Sequence, residues 1–400
     1  MVSTVTGYTD SRNRALPGEG LDGVVRVSAG GYYGTGTLLF DGAAVLTAAH
    51  LFTGSTAGTT VSFETTAGSQ TLAASTVLVN PGYSSTNENN DLAIVWLSGS
   101  APVAAQRYDI YRKSDEIGQT FEIVGYGKPA TGSQGVLTSY AGASIREKAF
   151  NRFDMDAAAL KAQLGGAMGW SPAAGTQLLA DFDNGIALND ALGQLAHVND
   201  LGLGQNEGSL SPGDSGGPAL LGNKVAGVAS YSASLSYGSI NPDINSIDDS
   251  SFGEIAAWQR VSIYQQWIDQ SLRAHYSNAP QTPSDVKTSV PQGKSGTSTT
   301  YFLLQFTGVR SSPTDILSVD YATRDGTATA GQDYIAVSGK LQLYPGETQA
   351  VIPVEIIGAV TVEPNETFYL DVSNPVGGSF GPGVSTLTAM RTIVNDGSLV

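Results

Sequence analysis

Ser215 sits in Gly213-Asp214-Ser215-Gly216-Gly217-Pro218, a run whose residue types suit nucleophilic catalysis. Glycines on both sides let the chain turn tightly, so that the N–H groups of Gly213 and Ser215 can aim at one point. Two such donors make an oxyanion hole. A serine hydroxyl at its ordinary pKa is a poor nucleophile and needs a base, which in turn needs a group to orient it. Both types stand upstream. His50 ends Leu46-Thr47-Ala48-Ala49-His50, and Asp91 opens Asp91-Leu92-Ala93-Ile94-Val95-Trp96-Leu97 directly after Asn89-Asn90. The chemistry such a trio performs is acyl transfer through a covalent serine intermediate.

The elements that must hold these residues are short strands. Val24-Val25-Arg26-Val27, Thr37-Leu38-Leu39-Phe40, Thr76-Val77-Leu78-Val79 and Phe121-Glu122-Ile123-Val124 are β-prone runs between Gly, Ser and Asn, and they read as a first barrel. Gln177-Leu178-Leu179, Pro218-Ala219-Leu220-Leu221 and Val225 to Tyr231 read as a second. A helix follows. Tyr264, Ile268 and Leu272 recur at four-residue steps with Trp267 alongside, and Ser262 with Gln265 has the spacing of a capping box.

In the order His, Asp, Ser, the three segments resemble the trypsin/chymotrypsin-type serine proteases over roughly residues 20–272. The order differs from that of subtilisins and of α/β-hydrolases. The resemblance implies a two-barrel, all-β domain with a C-terminal helix. It implies a triad of His50, Asp91 and Ser215, with Gly213 and Ser215 as oxyanion donors. It places Ser209 at the floor of the specificity pocket, Ala256 on its wall, and Ser230-Tyr231-Ser232 along the substrate backbone. With no acid at the floor, a small or medium apolar side chain is expected before the scissile bond. In the family, the carboxylate at the position of Asp214 pairs with an N-terminal ammonium freed by cleavage. The usual Ile-Val-Gly-Gly start is absent. By position the freed end falls near residues 8–15, with Arg12 and Arg14 as cleavage sites, or else Asp214 meets another cation.

Asp91 and Ser215 are far apart for this family, which predicts an insert at about 147–200. Asp154 to Leu164 reads as a short helix within it, capped by Asp154 and ended by Gly165-Gly166. Asp181-Phe182-Asp183-Asn184-Gly185 resembles part of a calcium loop but lacks the glycine and final glutamate of an EF-hand, so it reads as a turn. His197 and His275 stand without spaced partners and read as surface residues, one in the insert and one in a linker.

Residues 274–285, with Pro280 and Pro283, read as that linker. Beyond it the pattern becomes alternating strands: 301–306, 317–321, 340–344, 351–354 and 367–372. This is a β-sandwich pattern. Tyr321-Ala322-Thr323-Arg324-Asp325-Gly326-Thr327-Ala328, Gly331-Gln332-Asp333-Tyr334, Leu343-Tyr344-Pro345-Gly346-Glu347-Thr348 and Glu363-Pro364-Asn365-Glu366-Thr367-Phe368 resemble a Calx-β domain over about 286–397. That family binds calcium or serves as an adhesive module. Gln292 replaces a usual Glu and Gly358-Ala359 a usual Asp pair, while Asp333, Glu363, Glu366 and Asp396 remain. A calcium site there is expected to be weak or lost, and the module to act as a spacer. The domain reading is thus 1–273 protease-like, 274–285 linker, 286–400 immunoglobulin-like sandwich.

Composition sets outer bounds. A net charge of −16 argues against nucleic acid or an anionic membrane surface as partner. No cysteine is present, so no disulfide can form, and a bacterial source fits. No run of about 18 apolar residues predicts membrane insertion, and Met1 to Leu16 do not read as a secretory signal. The expected function is a secreted or cell-surface serine endopeptidase acting on protein or peptide and requiring no cofactor. The competing expectation is a silent protease fold serving adhesion through the sandwich. Oligomeric state and natural substrate leave no mark in the sequence.

Overall fold

The computed structural model describes residues 1–395. Its contacts form two compact units. The first comprises Met1–Leu39, Ala43–Gly99 and Ala104–Gln265; the second comprises Phe40–Gly42, Ser100–Val103 and the chain from Gln266 onward. The division falls inside the helix Val261–His275, so His275, read as a linker residue, is helical.

The first unit opens with a closed six-stranded barrel. Around it run Val24–Ala29, Tyr32–Leu38, Ala44–Thr47, Ala93–Leu97, Gly68–Val79 and Thr60–Thr65. The first hairpin turns through Gly30 and Gly31, both at positive φ (57° and 86°), in register Ala29 to Tyr32. A two-residue loop of this hand matches the twist of the flanking strands and calls for glycine. The strand Ala93–Leu97 is buried at every position, which puts the residues just before it, Asp91 included, at the barrel's rim.

A second sheet runs Glu147–Arg152, Thr120–Gly125, Pro218–Leu221, Lys224–Ala233, Ile255–Arg260, Gln177–Asp181, Met155–Asp156. Phe121, Ile123, Phe153, Leu178, Ala219 and Trp258 share its core. Phe121 stacks on Phe153 at 3.9 Å between ring centroids, and Trp258 meets Phe121 edge-on at 4.9 Å. Two assignments change here. Phe121-Glu122-Ile123-Val124 belongs to this second sheet rather than the first barrel, and Glu147–Arg152 is one of its strands rather than insert. The whole unit has the all-β, two-barrel form closed by a helix.

The insert packs two short helices, Ala157–Leu164 and Ala191–Ala196, over the far edge of the second sheet. Leu160 and Leu164 are buried as the spacing requires. The cap is Asp156, which accepts the N–H groups of Ala158 (3.0 Å) and Ala159 (3.3 Å). Asp154, the expected cap, is instead buried against Arg152 at 3.3 Å. Ser262 does not cap the closing helix either. It lies inside Val261–His275 and donates to Glu116 Oε1 at 2.6 Å, while Gln265 Nε2 reaches the Ser262 carbonyl at 2.9 Å. A buried carboxylate next to a hydroxyl outcompetes a local cap, because charge-assisted hydrogen bonds are the stronger kind.

The second unit contains the sandwich. One sheet orders Ser289–Pro291, Thr386–Val394, Glu366–Val376, Leu317–Asp325 and Ser338–Leu343; the other pairs Thr297–Gln305 with Gln349–Ile357. Phe302, Ile352, Tyr334, Phe368 and Leu370 lie between them.

Candidate active site

His50 lies in the 3-10 turn Ala49–Phe52 that follows the strand Ala44–Thr47. Asp91, fully buried, precedes the strand Ala93–Leu97, which pairs with Ala44–Thr47 in register Thr47 to Ala93. Adjacent strand ends therefore bring the two together. Asp91 Oδ2 meets His50 Nδ1 at 2.7 Å, and Oδ1 accepts the His50 backbone N–H at 2.8 Å. Ser230 Oγ donates to Asp91 Oδ2 at 2.6 Å. The carboxylate is thus fixed by three donors and can fix the ring in turn. Burial works to lower the His50 pKa, but the bond to Asp91 and the charges of Asp91 and Glu88 prevail and raise it above its ordinary value.

Ser215 is half-buried in a turn pinned to the same place. Gly216 N–H donates to Ala229 O and Ala229 N–H to Gly217 O, each at 2.8 Å, directly beside Ser230. The Ser215 carbonyl accepts Thr35 N–H at 2.8 Å. A Cβ on Gly34 would lie 2.7 Å from both Ser215 O and the side chain of Leu51, the neighbour of His50, so the serine turn and the histidine turn flank one glycine. Gly216 has φ +83°, and a Cβ there would fall 2.1 Å from Thr47 Oγ1. Asp214 and Gly217 spend their N–H groups on the turn itself. Those of Gly213 and Ser215 make no backbone hydrogen bond among the described residues.

Asp214 is fully buried and accepts the N–H groups of Gly127 and Ser211, each at 2.8 Å. The ammonium of Met1 acts on it electrostatically; that group is buried, which lowers its own pKa to about 6, and it donates to the carbonyls of Gly127 (2.8 Å) and Gly125 (3.2 Å). Burial pushes the Asp214 carboxyl up to about 6, against the pull of that ammonium. Residues 8–15, where a freed end was expected, supply no partner to Asp214. Arg12 pairs with Asp10 at 3.0 Å, and Arg14 forms an isolated antiparallel β-bridge with Glu147 through the backbone.

Ser209 is buried and lies in register with Ser3; Ala256, also buried, lies in register with Ser232 on the strand Lys224–Ala233. Ser232 and Tyr231 are half-buried. The two acids nearest in sequence to these positions are already committed. Glu254 accepts three N–H groups, from Asp249 (2.8 Å), Ser250 (3.0 Å) and Ser251 (2.9 Å). Glu207 accepts those of Asp183 (2.8 Å) and Leu203.

Residue types alone did not reveal a second layer, which grips the loop before Asp91. Gln177 and Gln259 face each other across paired strands. Both donate to the Glu88 carbonyl, at 3.0 and 2.6 Å, and Gln259 also reaches Ser230 Oγ at 3.3 Å. Tyr231 Oη donates to Gln177 Oε1 at 2.8 Å and accepts from Trp170 Nε1 at 2.9 Å. Ser171 and Ala173 N–H groups hold the side chains of Asn87 and Asn89, each at 2.8 Å. The insert therefore supports the aspartate loop. Glu88 and Asn90 take positive φ (51° and 56°), a strained state for non-glycine residues that persists only where surroundings impose it. The Glu88 carboxylate lies within 4.8 Å of the ligand atoms of both His50 and Asp91.

The trypsin family model matches residues 14–155, and the Calx-beta domain model matches residues 304–397. The chain carries a trypsin domain followed by a Calx-β domain. Curated relatives include sodium/calcium exchanger 1 of Canis lupus familiaris, 44% identical over 61 residues (15% of this chain, 6% of the relative), and sodium/calcium exchanger 3 of Homo sapiens, 46% over 56 residues (14% and 6%). Sodium/calcium exchanger Calx of Drosophila melanogaster is 40% identical over 58 residues, again 14% and 6%. The chain spans 6% of the length of these relatives. The trypsin match takes in His50 and Asp91; Ser215 lies beyond it in sequence, in the turn pinned beside Ser230. In the Calx-β domain, Asp333, Glu363 and Glu366 each place a carboxylate oxygen within 4.8 Å of the others, closer than the loss of neighbouring acids suggested. Gln292 is buried and accepts from Asn395 Nδ2 at 3.1 Å. Asp396 lies outside the described residues.

Proposed function

We propose that the chain is a serine endopeptidase. The observation that carries this reading is Asp91, which holds His50 Nδ1 at 2.7 Å and is held by Ser230, on the strand to which the Ser215 turn is pinned. In the reaction, Ser215 Oγ attacks the carbonyl carbon of the scissile peptide. His50 takes the hydroxyl proton at Nε2 and returns it to the leaving amine, and the N–H groups of Gly213 and Ser215 receive the oxyanion. Water then repeats the sequence to release the acyl group. Ser230-Tyr231-Ser232 would line the substrate backbone. No cofactor is needed. Labelling of Ser215 by a fluorophosphonate, located by mass spectrometry, is the test. Absence of labelling in the folded protein would leave the adhesion reading in its place.

Secretion or display at the cell surface accompanies this proposal, as does a spacer role for the Calx-β domain with at most weak calcium affinity. No helix among the described residues is long and apolar enough to cross a membrane.

Substrates with Ala, Val or Leu before the scissile bond should exceed those with Arg or Lys in kcat/KM by at least about tenfold. Ser209 offers no charge to a buried ammonium, which is costly to desolvate unpaired, and Glu207 and Glu254 are taken up by backbone donors. A cleavage profile dominated by basic residues would refute the pocket assignment.

Glu88→Gln should move the acid limb of the kcat/KM profile to lower pH. Catalysis needs neutral His50, and a carboxylate this near favours the charged ring. Removing that charge lets the base stay neutral at lower pH. An unmoved limb would mean that the Glu88 charge is screened from the ring.

A further inference from the structure

The stretch Asp181 to Asp190, whose first five residues read as a turn, encloses a cluster of carboxylates. Asp181 ends the strand Gln177–Asp181, Asp183 follows two residues later, and Asp190 caps the helix Ala191–Ala196. One oxygen from each lies within 4.8 Å of the other two, and the three residues are only 1%, 4% and 2% exposed. Glu207 is bonded to the Asp183 N–H, and the Asp200 N–H donates to Asp190 at 3.1 Å. The nearby cation, Arg152, is engaged by Asp154 (3.3 Å) and Asp200 (2.7 Å). Among the described residues no basic side chain pairs with Asp181, Asp183 or Asp190.

Backbone donors answer part of this charge. Leu192 N–H donates to Asp181 at 2.6 Å and Gly193 N–H to Asp190 at 2.6 Å. Asp183 is different. Its Oδ1 is buried and has no hydrogen-bond partner among the described residues. A buried acceptor left unmet costs the full desolvation of the group, and more so when charged. Three crowded carboxylates with one oxygen unsatisfied call for a small cation among them.

We propose that Asp181, Asp183 and Asp190 hold a calcium ion. Every ligand is a hard oxygen, with neither histidine nor cysteine in the set, which disfavours zinc and its relatives. The three carboxylates come from a strand end, a loop and a helix cap. Such an irregular set suits calcium, which accepts variable geometry and completes its shell with water, better than magnesium, which demands a regular octahedron. The ion would fasten residues 181–203 to the end of the strand that begins at Gln177, the residue gripping the loop before Asp91. The proposal stands whether or not Ser215 is a nucleophile.

The test uses the full chain as the Ser215→Ala variant, to prevent self-digestion, stripped with chelator and titrated with calcium chloride by calorimetry. Melting is followed in calcium and in chelator. The acids of the sandwich are removed in a second protein by Glu363→Gln and Glu366→Gln. That protein should still bind one calcium and melt several degrees higher in millimolar calcium, since a ligand of the native state stabilises in proportion to RT ln(1 + [L]/Kd). Asp183→Asn should lose the gain in the Glu363→Gln, Glu366→Gln background, where the sandwich cluster cannot supply one. In chelator it should melt no lower than its parent, because the amide relieves like-charge crowding. Absence of binding in the Glu363→Gln, Glu366→Gln protein overturns the proposal even if Asp183→Asn fails to fold. So does a calcium response of the Glu363→Gln, Glu366→Gln protein that Asp183→Asn leaves intact.

Discussion

Ser215→Ala is expected to lower peptide turnover by about four orders of magnitude or more, to whatever binding and the oxyanion donors alone sustain. In the proposed mechanism the hydroxyl is the group that forms the acyl bond. The turn itself depends on other atoms. Gly216 and Gly217 are tied to Ala229, the Ser215 carbonyl to Thr35, and Asp214 to Gly127 and Ser211. None of these involves the serine side chain, so stability should change by no more than about 0.5 kcal/mol. Turnover and melting temperature of the purified variant measure both. Undiminished turnover at native stability would remove Ser215 from the mechanism and with it the protease reading.

The proposed triad was legible in sequence because acyl transfer restricts residue type so tightly. Only a few side chains can serve as nucleophile, base and orienting acid, and the serine turn needs glycine where Gly216 approaches Thr47. Strands with plain apolar runs were legible for a similar local reason. What failed was everything decided by partners distant in the chain. Phe121 to Val124 has the right local character for a strand but no local sign of which sheet it joins. Pairing with Glu147–Arg152 and Pro218–Leu221 decides that. Asp154 and Asp156 are equivalent as caps on paper, until Arg152 claims the first. Ser262 has the spacing of a cap, but Glu116, 146 residues away, takes its hydroxyl.

The supporting layer was hidden for the same reason. Gln177, Gln259 and Trp170 are ordinary types for strands and loops. Their role follows from the register that sets Gln177 opposite Gln259, so that both amides reach one carbonyl, that of Glu88. The insert, to which sequence assigned no chemistry, contributes Trp170 and the N–H groups of Ser171 and Ala173 to that grip. A strained loop carrying the buried carboxylate of Asp91 needs such external restraint. Glu88 gave the one available signal, as the only charged residue between Tyr83 and Asp91.

Asp91→Asn is expected to cost about 10⁴ in kcat near neutral pH, with the fold retained. The carboxylate only accepts. It takes the His50 N–H on Oδ1, and the His50 ring and the Ser230 hydroxyl on Oδ2. An amide must turn its NH₂ one way or the other. Aimed at the ring, it donates to Nδ1 and forces the proton onto Nε2, which then cannot accept from Ser215. Aimed at the His50 backbone, it sets donor against donor and frees the turn that carries the ring. The chemistry suffers in either case, and the unmet bonds cost about 1–3 kcal/mol of stability. Ser230→Ala should be far milder in turnover, since Asp91 keeps both contacts to His50. Fluorophosphonate labelling rates should rank the three proteins as parent, Ser230→Ala, Asp91→Asn. If Asp91→Asn stays within tenfold of the parent in both labelling and turnover, the base is not oriented by Asp91.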